Sequence, residues 1–197
     1  MTLLRFLAVL SLAFLATACD KDDAVSIRVR LDKDLAGTLI TSALARPVAP
    51  DAVEAAATGV TFERQVAMRG AKGRFPKFDG LTVGDVRFTA GTTDSGFSYA
   101  RVELPTGPDA RWPALFVPLN EAERRSAAEA FELTGGAQDL GRTFQIRIEL
   151  PAAVVSNGTK GKLRGSRNDS DGNVATLTIP IQAAREGKEP LVWQLTW

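Results

Sequence analysis

Alternation of apolar and polar residues with a period of two dominates this chain from Val25 onward. Val25, Ile27, Val29 and Leu31 alternate with Ser26, Arg28 and Arg30, and Phe144, Ile146, Ile148 and Leu150 alternate with Gln145, Arg147 and Glu149. Leu177, Ile179 and Ile181 repeat the pattern, as do Leu191, Trp193, Leu195 and Trp197. A period of two puts every second side chain on one face, which marks strands with one buried side. Pro180 interrupts the third run, and its missing N–H predicts an edge strand or a bulge there. Weaker runs over 37–44, 60–68, 81–89, 96–104, 112–117, 153–156 and 160–165 predict further strands.

Turn chemistry falls between these runs. Asn157-Gly158 suits a two-residue type I′ hairpin turn, and it also begins a glycosylation sequon with Thr159, which is read here as a turn only. Segments 91–96 and 167–172, dense in Gly, Thr, Asn, Asp and Ser, read as loops. Segment 45–59 is Ala-rich and bracketed by Pro47, Pro50 and Gly59, so it reads as a connection or a short helical turn. One short helix is expected near 120–133. Asn120 and Glu123 form a capping-box-like start, Ala127, Ala128, Ala130, Phe131 and Leu133 supply an apolar stripe, and Gly135-Gly136 stop it.

Arg101-Val102-Glu103-Leu104-Pro105 and Arg147-Ile148-Glu149-Leu150-Pro151 share a pattern, with Arg28-Val29-Arg30-Leu31 as a partial third copy. Their spacing is irregular, so they read as three strands in similar environments, each presenting charge outward, rather than as a repeat architecture. The predicted fold is all-β: an antiparallel β-sandwich or barrel-like sandwich of about nine or ten strands with one short helix.

Composition narrows the chemistry. The 197 residues contain no His, one Cys and one Tyr. Without imidazole there is no Ser-His-Asp triad, no Cys-His pair and no His-ligated zinc or iron. The sequence also lacks a Ser-x-x-Lys motif and a Gly-x-Ser-x-Gly elbow. Two carboxylates can hydrolyse a glycoside without histidine, but spacing singles out no pair among the 23 acids. The expectation is a non-catalytic protein with no cofactor and no metal.

Residues 1–18 differ from all that follows. Arg5 is their only charge, and Phe6–Leu15 is an apolar run of ten residues, half of the roughly 20 needed to span a bilayer. One cation, a short apolar segment and then small residues read as an export signal, to be left out of the fold. The segment ends in Ala16-Thr17-Ala18-Cys19 and resembles a bacterial lipoprotein signal. The resemblance implies cleavage before Cys19, a diacylglyceryl group on its thiol and acylation of the new amine. Ala16-x-Ala18 also suits ordinary signal peptidase, which would release a soluble protein with a free thiol. The organisation expected is a signal over 1–18, a lipidated tether over 19–24 and one β domain over 25–197. Two or three acyl chains anchor a protein stably where one does not. Asp20-Lys21-Asp22-Asp23-Ala24 alone separate Cys19 from the first strand pattern. At about 3.3–3.6 Å per residue, they hold the domain within roughly 18 Å of the membrane. In enterobacterial lipoproteins an aspartate after the cysteine implies retention at the periplasmic face of the inner membrane, and Asp20 matches; the outer membrane is the alternative.

Without residues 1–18 the chain has 23 cations and 23 anions, a balance that argues against nucleic acid as partner. Charge is nevertheless clustered. No acid interrupts the stretch from Arg64 to Phe78, which carries Arg64, Arg69, Lys72, Arg74 and Lys77 with glycines at 70 and 73. This reads either as a flexible basic loop that meets anionic head groups or another anionic envelope polymer, at up to about 1 kcal/mol per cation, or as a hairpin whose charges block edge pairing. Asp169, Asp171 and Gly172 imitate part of a calcium loop, but Arg167 and Thr178 stand where its first and last carboxylates belong. Trp193 and Trp197 share an apolar face and read as core, whereas Trp112, before Pro113, is the tryptophan expected at the surface.

The expected role is that of a membrane-anchored envelope module that binds a partner by strand addition or through a surface patch. The alternatives are a sugar- or lipid-binding β module with a cavity between its sheets, and a carboxylate-based hydrolase. Reversing charge at Lys72 and Arg74 to Glu in the chain lacking residues 1–19 should weaken its co-sedimentation with anionic liposomes several-fold; unchanged binding removes a membrane contact for these residues.

Overall fold

A computed structural model describes residues 25–43, 54–67, 70–117, 122, 125 and 141–197, with only the backbone at 64–67 and 70. Two sheets face each other across one apolar core. Thirteen strands lie among the described residues, so the β-sandwich expected from the alternation is present, with more and shorter strands than the pattern alone resolved. Sheet A has seven strands. Across it run β11 (Arg167–Asp171), β12 (Val174–Pro180), β9 (Thr143–Glu149), β1 (Ser26–Leu31), β2 (Gly37–Ser42), β5 (Gly70–Phe75) and β4 (Thr61–Ala67). Sheet B runs β10 (Ser156–Lys160), β13 (Leu191–Thr196), β8 (Ser98–Leu104), β7 (Val86–Thr92), β6 (Thr82–Val83) and β3 (Ala57–Thr58). Every pairing is antiparallel except one: β1 and β9 run parallel at the centre of sheet A.

The strongest alternations all point inward. Val25, Ile27, Val29 and Leu31, then Phe144, Ile146, Ile148 and Leu150, then Leu177 and Ile179, are buried, as are Leu191, Trp193 and Leu195. Full burial of such a side chain is worth about 1.5–3 kcal/mol, so register in the central strands is strongly specified. Pro180 ends β12 opposite Thr143. β11 stops pairing at Thr178, so the missing N–H falls beyond the interior of the sheet and no bulge is needed.

Several local signals were outweighed by packing. The segment 112–117 is a helix, α1 (Trp112–Phe116), with a proline in its first turn. Both oxygens of the Asp85 carboxylate accept hydrogen bonds there, from the Arg111 and Trp112 N–H groups at 2.8 Å, which satisfies donors that a helix start leaves open. Trp112 is therefore fully buried rather than at the surface. Its ring lies 4.5 Å from that of Phe144, which in turn lies 4.9 Å from Phe116, and its indole N–H donates to the Pro105 carbonyl. The second helix, α2 (Ile181–Glu186), links β12 to β13. The helix expected over 120–133 lies outside the described residues except at Ala122 and Arg125.

Asn157-Gly158 is not a turn but the middle of β10, and the polar run 167–171 is not a loop but the edge strand β11. The turn lies one step on, at Gly172-Asn173, between the paired Asp171 and Val174. Gly172 alone takes a positive φ there, 58°, as the first position of a type II′ turn requires. The strands expected over 153–156 and 160–165 are not formed: β10 occupies Ser156–Lys160 and meets them only at those two ends, and 161–165 is turn and irregular chain.

The two sheets are joined at both edges. On one side the chain crosses from β3 to β4 through Gly59-Val60. On the other, β10 and β11 are latched through Asn157. Its amide donates to the Asp169 carbonyl at 2.9 Å, while its Oδ1 accepts from the Trp193 indole at 2.7 Å and from the Asn168 amide at 2.9 Å. These contacts give the sandwich a barrel-like closure. Replacing Trp112 with Ala should cost about 3–5 kcal/mol of unfolding free energy. Replacing Asp85 with Ala should cost about 1–2 kcal/mol, both measured by urea denaturation.

Candidate functional site

The outward positions of sheet A carry the most concentrated charge in the described structure. On β1, β2, β5 and β9 the inward alternates are Val29, Leu39, Ala71, Gly73 and Ile148, which leaves Arg28, Arg30, Thr38, Ile40, Lys72, Arg74, Arg147 and Glu149 on the outer face. Register then arranges these residues in rows across the sheet. One row reads Asp169, Thr176, Arg147, Arg28, Ile40, Lys72, Arg64, crossing all seven strands. The next reads Asp171, Val174, Glu149, Arg30, Thr38, Arg74, Thr61.

The two rows differ in electrostatics. In the second, Arg30 Nε lies 3.6 Å from Glu149, and Arg74 pairs with Glu63, which stands at the register shift of β4 between the two rows. Both pairs are largely exposed, where such bridges contribute little to stability. In the first row Arg147 sits in register with Arg28, while the acid of that row, Asp169, stands at the far edge. Neighbouring strands are about 4.8 Å apart, and like charges at facing positions are destabilising.

The face is hollowed rather than flat. A depression of about 520 Å³ is lined by Arg28, Arg30, Lys72, Arg74, Arg147 and Glu149, among others. A second, of about 480 Å³, lies against β9, β12 and β11, where Arg147 and Arg167 stand with Asp169 and Asp171 among threonines and Gln145. Arg147 borders both depressions. None of the described residues lining either is aromatic.

Of the cations singled out by sequence, Lys72 and Arg74 lie on the outer face of β5 and line the first depression. Arg64 belongs to β4, with its backbone in register with Lys72. Lys77 follows β5 and pairs with Asp79 at 3.4 Å. Arg69 and Cys19 lie outside the described residues. The stretch is thus largely a strand hairpin rather than a flexible loop, and Gly73 has a packing reason. A Cβ there would run into Val60 Cγ1 and stand 3.0 Å from the Thr61 carbonyl, a close approach that only glycine permits. Sequence reasoning missed Arg28, Arg30 and Arg147 as partners of Lys72. The signal available was the shared Arg-x-Glu/Arg pattern of residues 28–30 and 147–149, which a register of adjacent parallel strands turns into a contiguous patch.

Other features carry less. Asp169 and Asp171 stand two residues apart on an edge strand exposed along its whole length, without the apolar wall that a general acid in a carboxylate pair needs. No group of three or more His, Cys, Asp and Glu able to hold a metal occurs among the described residues. Phe97 and Val155, 45% and 61% exposed, flank the end of β13 at the pole of the sandwich away from the start of β1. The sheet edges are guarded: β4 carries two register shifts, β11 is wholly polar and β3 has two residues.

Comparison with known proteins found no matching family model, no matching curated protein and no matching solved structure. Relief of the Arg147–Arg28 repulsion should stabilise the fold. Arg147→Thr is expected to raise the unfolding free energy by a few tenths of a kcal/mol at low ionic strength, a gain that shrinks with added salt.

Proposed function

We propose that this chain is a lipid-anchored protein of the bacterial envelope that works by binding, tethered through a diacylglyceryl group on Cys19 and engaging its partner with the outer face of sheet A. The observation that carries this reading is the position of the tether relative to the charge. Ser26, seven residues after Cys19, opens β1 in register with Gln145, Ser42 and, through Ser42, Gly70. The start of β1 and the β4–β5 hairpin end therefore share one pole of sheet A. The cationic row lies two residues further along the strands, about 7 Å from that pole. An anchor at Cys19 with a reach of roughly 18 Å keeps the row close to the bilayer surface. Asp20 favours the periplasmic face of the inner membrane, with the outer membrane as the other site.

The surface-patch form of binding is favoured over strand addition. The guarded edges of both sheets leave little backbone to pair with, whereas the outer face of sheet A offers a hollow of convergent polar groups. A ligand cavity between the sheets has less support, because Trp112, Trp193, Phe88, Phe116 and Phe144 fill that space and are fully buried. Metabolic labelling with a fatty-acid probe should label the wild-type protein, which should fractionate with membranes and require detergent for release. Cys19→Ala should take no label. A mature product with a bare thiol in the soluble fraction would overturn the anchor.

A further inference from the structure

We propose that Asn157 is a site of spontaneous deamidation that the folded protein holds off, and that its conversion to a carboxylate unlatches the seam between β10 and β11. The inference is independent of lipid attachment and of the charged face of sheet A.

Asn157 precedes Gly158, and none of the other asparagines, Asn120, Asn168 and Asn173, is followed by glycine. Deamidation begins when the backbone nitrogen of the following residue attacks the side-chain amide carbon, and glycine, lacking Cβ, hinders that approach least. At Asn157 a bond forms between the Gly158 nitrogen and Cγ, and the Cγ–Nδ2 bond breaks. The amide NH2 departs as ammonia with the proton of the Gly158 N–H. Water then opens the cyclic imide at either carbonyl, leaving an aspartate or its isomer with Cβ in the main chain.

The native structure opposes the first step. Asn157 and Gly158 pair with Leu195 and Gln194 inside β10, and an extended strand turns the Gly158 nitrogen away from the side chain. The amide is held at both ends. Nδ2 donates to the Asp169 carbonyl at 2.9 Å, and Oδ1 accepts from the Trp193 indole at 2.7 Å and the Asn168 amide at 2.9 Å. Asn168 also donates to the Asn157 backbone carbonyl at 3.0 Å. Reacting atoms must meet in aligned geometry at about 3–3.5 Å, so the chemistry waits for β10 to open locally and its rate reports that opening. β10 and β11 edge different sheets and share no backbone ladder, so the amides of Asn157 and Asn168 close the seam between them. A carboxylate has no N–H to donate. The oxygen that replaces Nδ2 faces the Asp169 carbonyl, acceptor against acceptor, and that contact turns repulsive. Trp193 and Asn168 keep an acceptor, so the core stays covered while β11 comes loose.

The test incubates the purified protein in mildly alkaline buffer, digests it with trypsin and follows the mass of peptide 148–160, whose single side-chain amide is Asn157. Conversion should run at least about tenfold slower in the native protein than in urea, where 1.4 kcal/mol corresponds to each factor of ten. Asn168→Ala, at an exposed position of β11, should speed the native conversion about tenfold, the equivalent of about 1.4 kcal/mol, and leave the rate in urea unchanged. Gly158→Ala adds a Cβ with nothing within 4 Å of it, so it should keep the fold and slow conversion in both states. Asp169→Asn, whose latch contact is its backbone carbonyl, should leave the native rate at Asn157 as it is. Asn157→Asp should raise hydrogen–deuterium exchange over β10 and β11 several-fold and not over β2 and β5. Equal rates in native protein and urea, no acceleration in Asn168→Ala, or equal acceleration in Asp169→Asn overturns the protection by the latch. Wild-type exchange in Asn157→Asp overturns the unlatching.

Discussion

The parallel pairing of β1 with β9 is the constraint on which the rest of the molecule depends. These strands are more than a hundred residues apart in the chain, yet they pair over five positions at the centre of sheet A. On one side β1 carries β2, β5 and β4; on the other β9 carries β12 and β11. Without that pairing sheet A is two separate ribbons, each with an exposed apolar face. A parallel pair requires a crossover, and between β5 and β9 the described chain passes through β6, β7 and β8 of sheet B and α1. Part of the layer that covers sheet A thus lies on the connection between its halves. Contacts of such long sequence separation predict slow folding relative to a helical protein of the same size.

Closure follows from that arrangement. Once β9 is seated, Phe144 meets Trp112 and Phe116 of α1, and Phe75, Phe78 and Phe88 stack between the sheets at 6.1 and 5.4 Å. The Asn157 latch then joins the two edges and satisfies the indole N–H of the fully buried Trp193. A buried indole without an acceptor is costly. Asn157 therefore serves the core and the sheet edge at once, which explains why an amide typical of turns occurs inside a strand.

The same register that fills the core inward dictates what stands outward. Ile146 and Ile148 point into the sandwich, so Arg147 must point out, and the parallel alignment puts it beside Arg28. Two arginines facing each other do not help the sheet hold together, and Thr or Gln would serve the strand better.

How much of this was legible in the amino-acid order depends on the range of the interaction involved. The alternation in the four strongest runs was sufficient to identify their strands and their buried faces, because burial acts on each strand through its own side chains. The absence of histidine closed off whole classes of chemistry before any fold was known. Turn assignments at Asn157-Gly158 and 167–172 went astray because hydrogen bonds to residues on another strand decided their conformation. Trp112 was expected outside because its cap, Asp85, lies 27 residues away. The cluster on the outer face of sheet A was beyond reach for the same reason: Arg28, Lys72 and Arg147 are brought into one row through strand register alone. Composition and pattern determined the class of fold and the inward faces; only tertiary pairing, which no local preference encodes, decided which outward charges would meet.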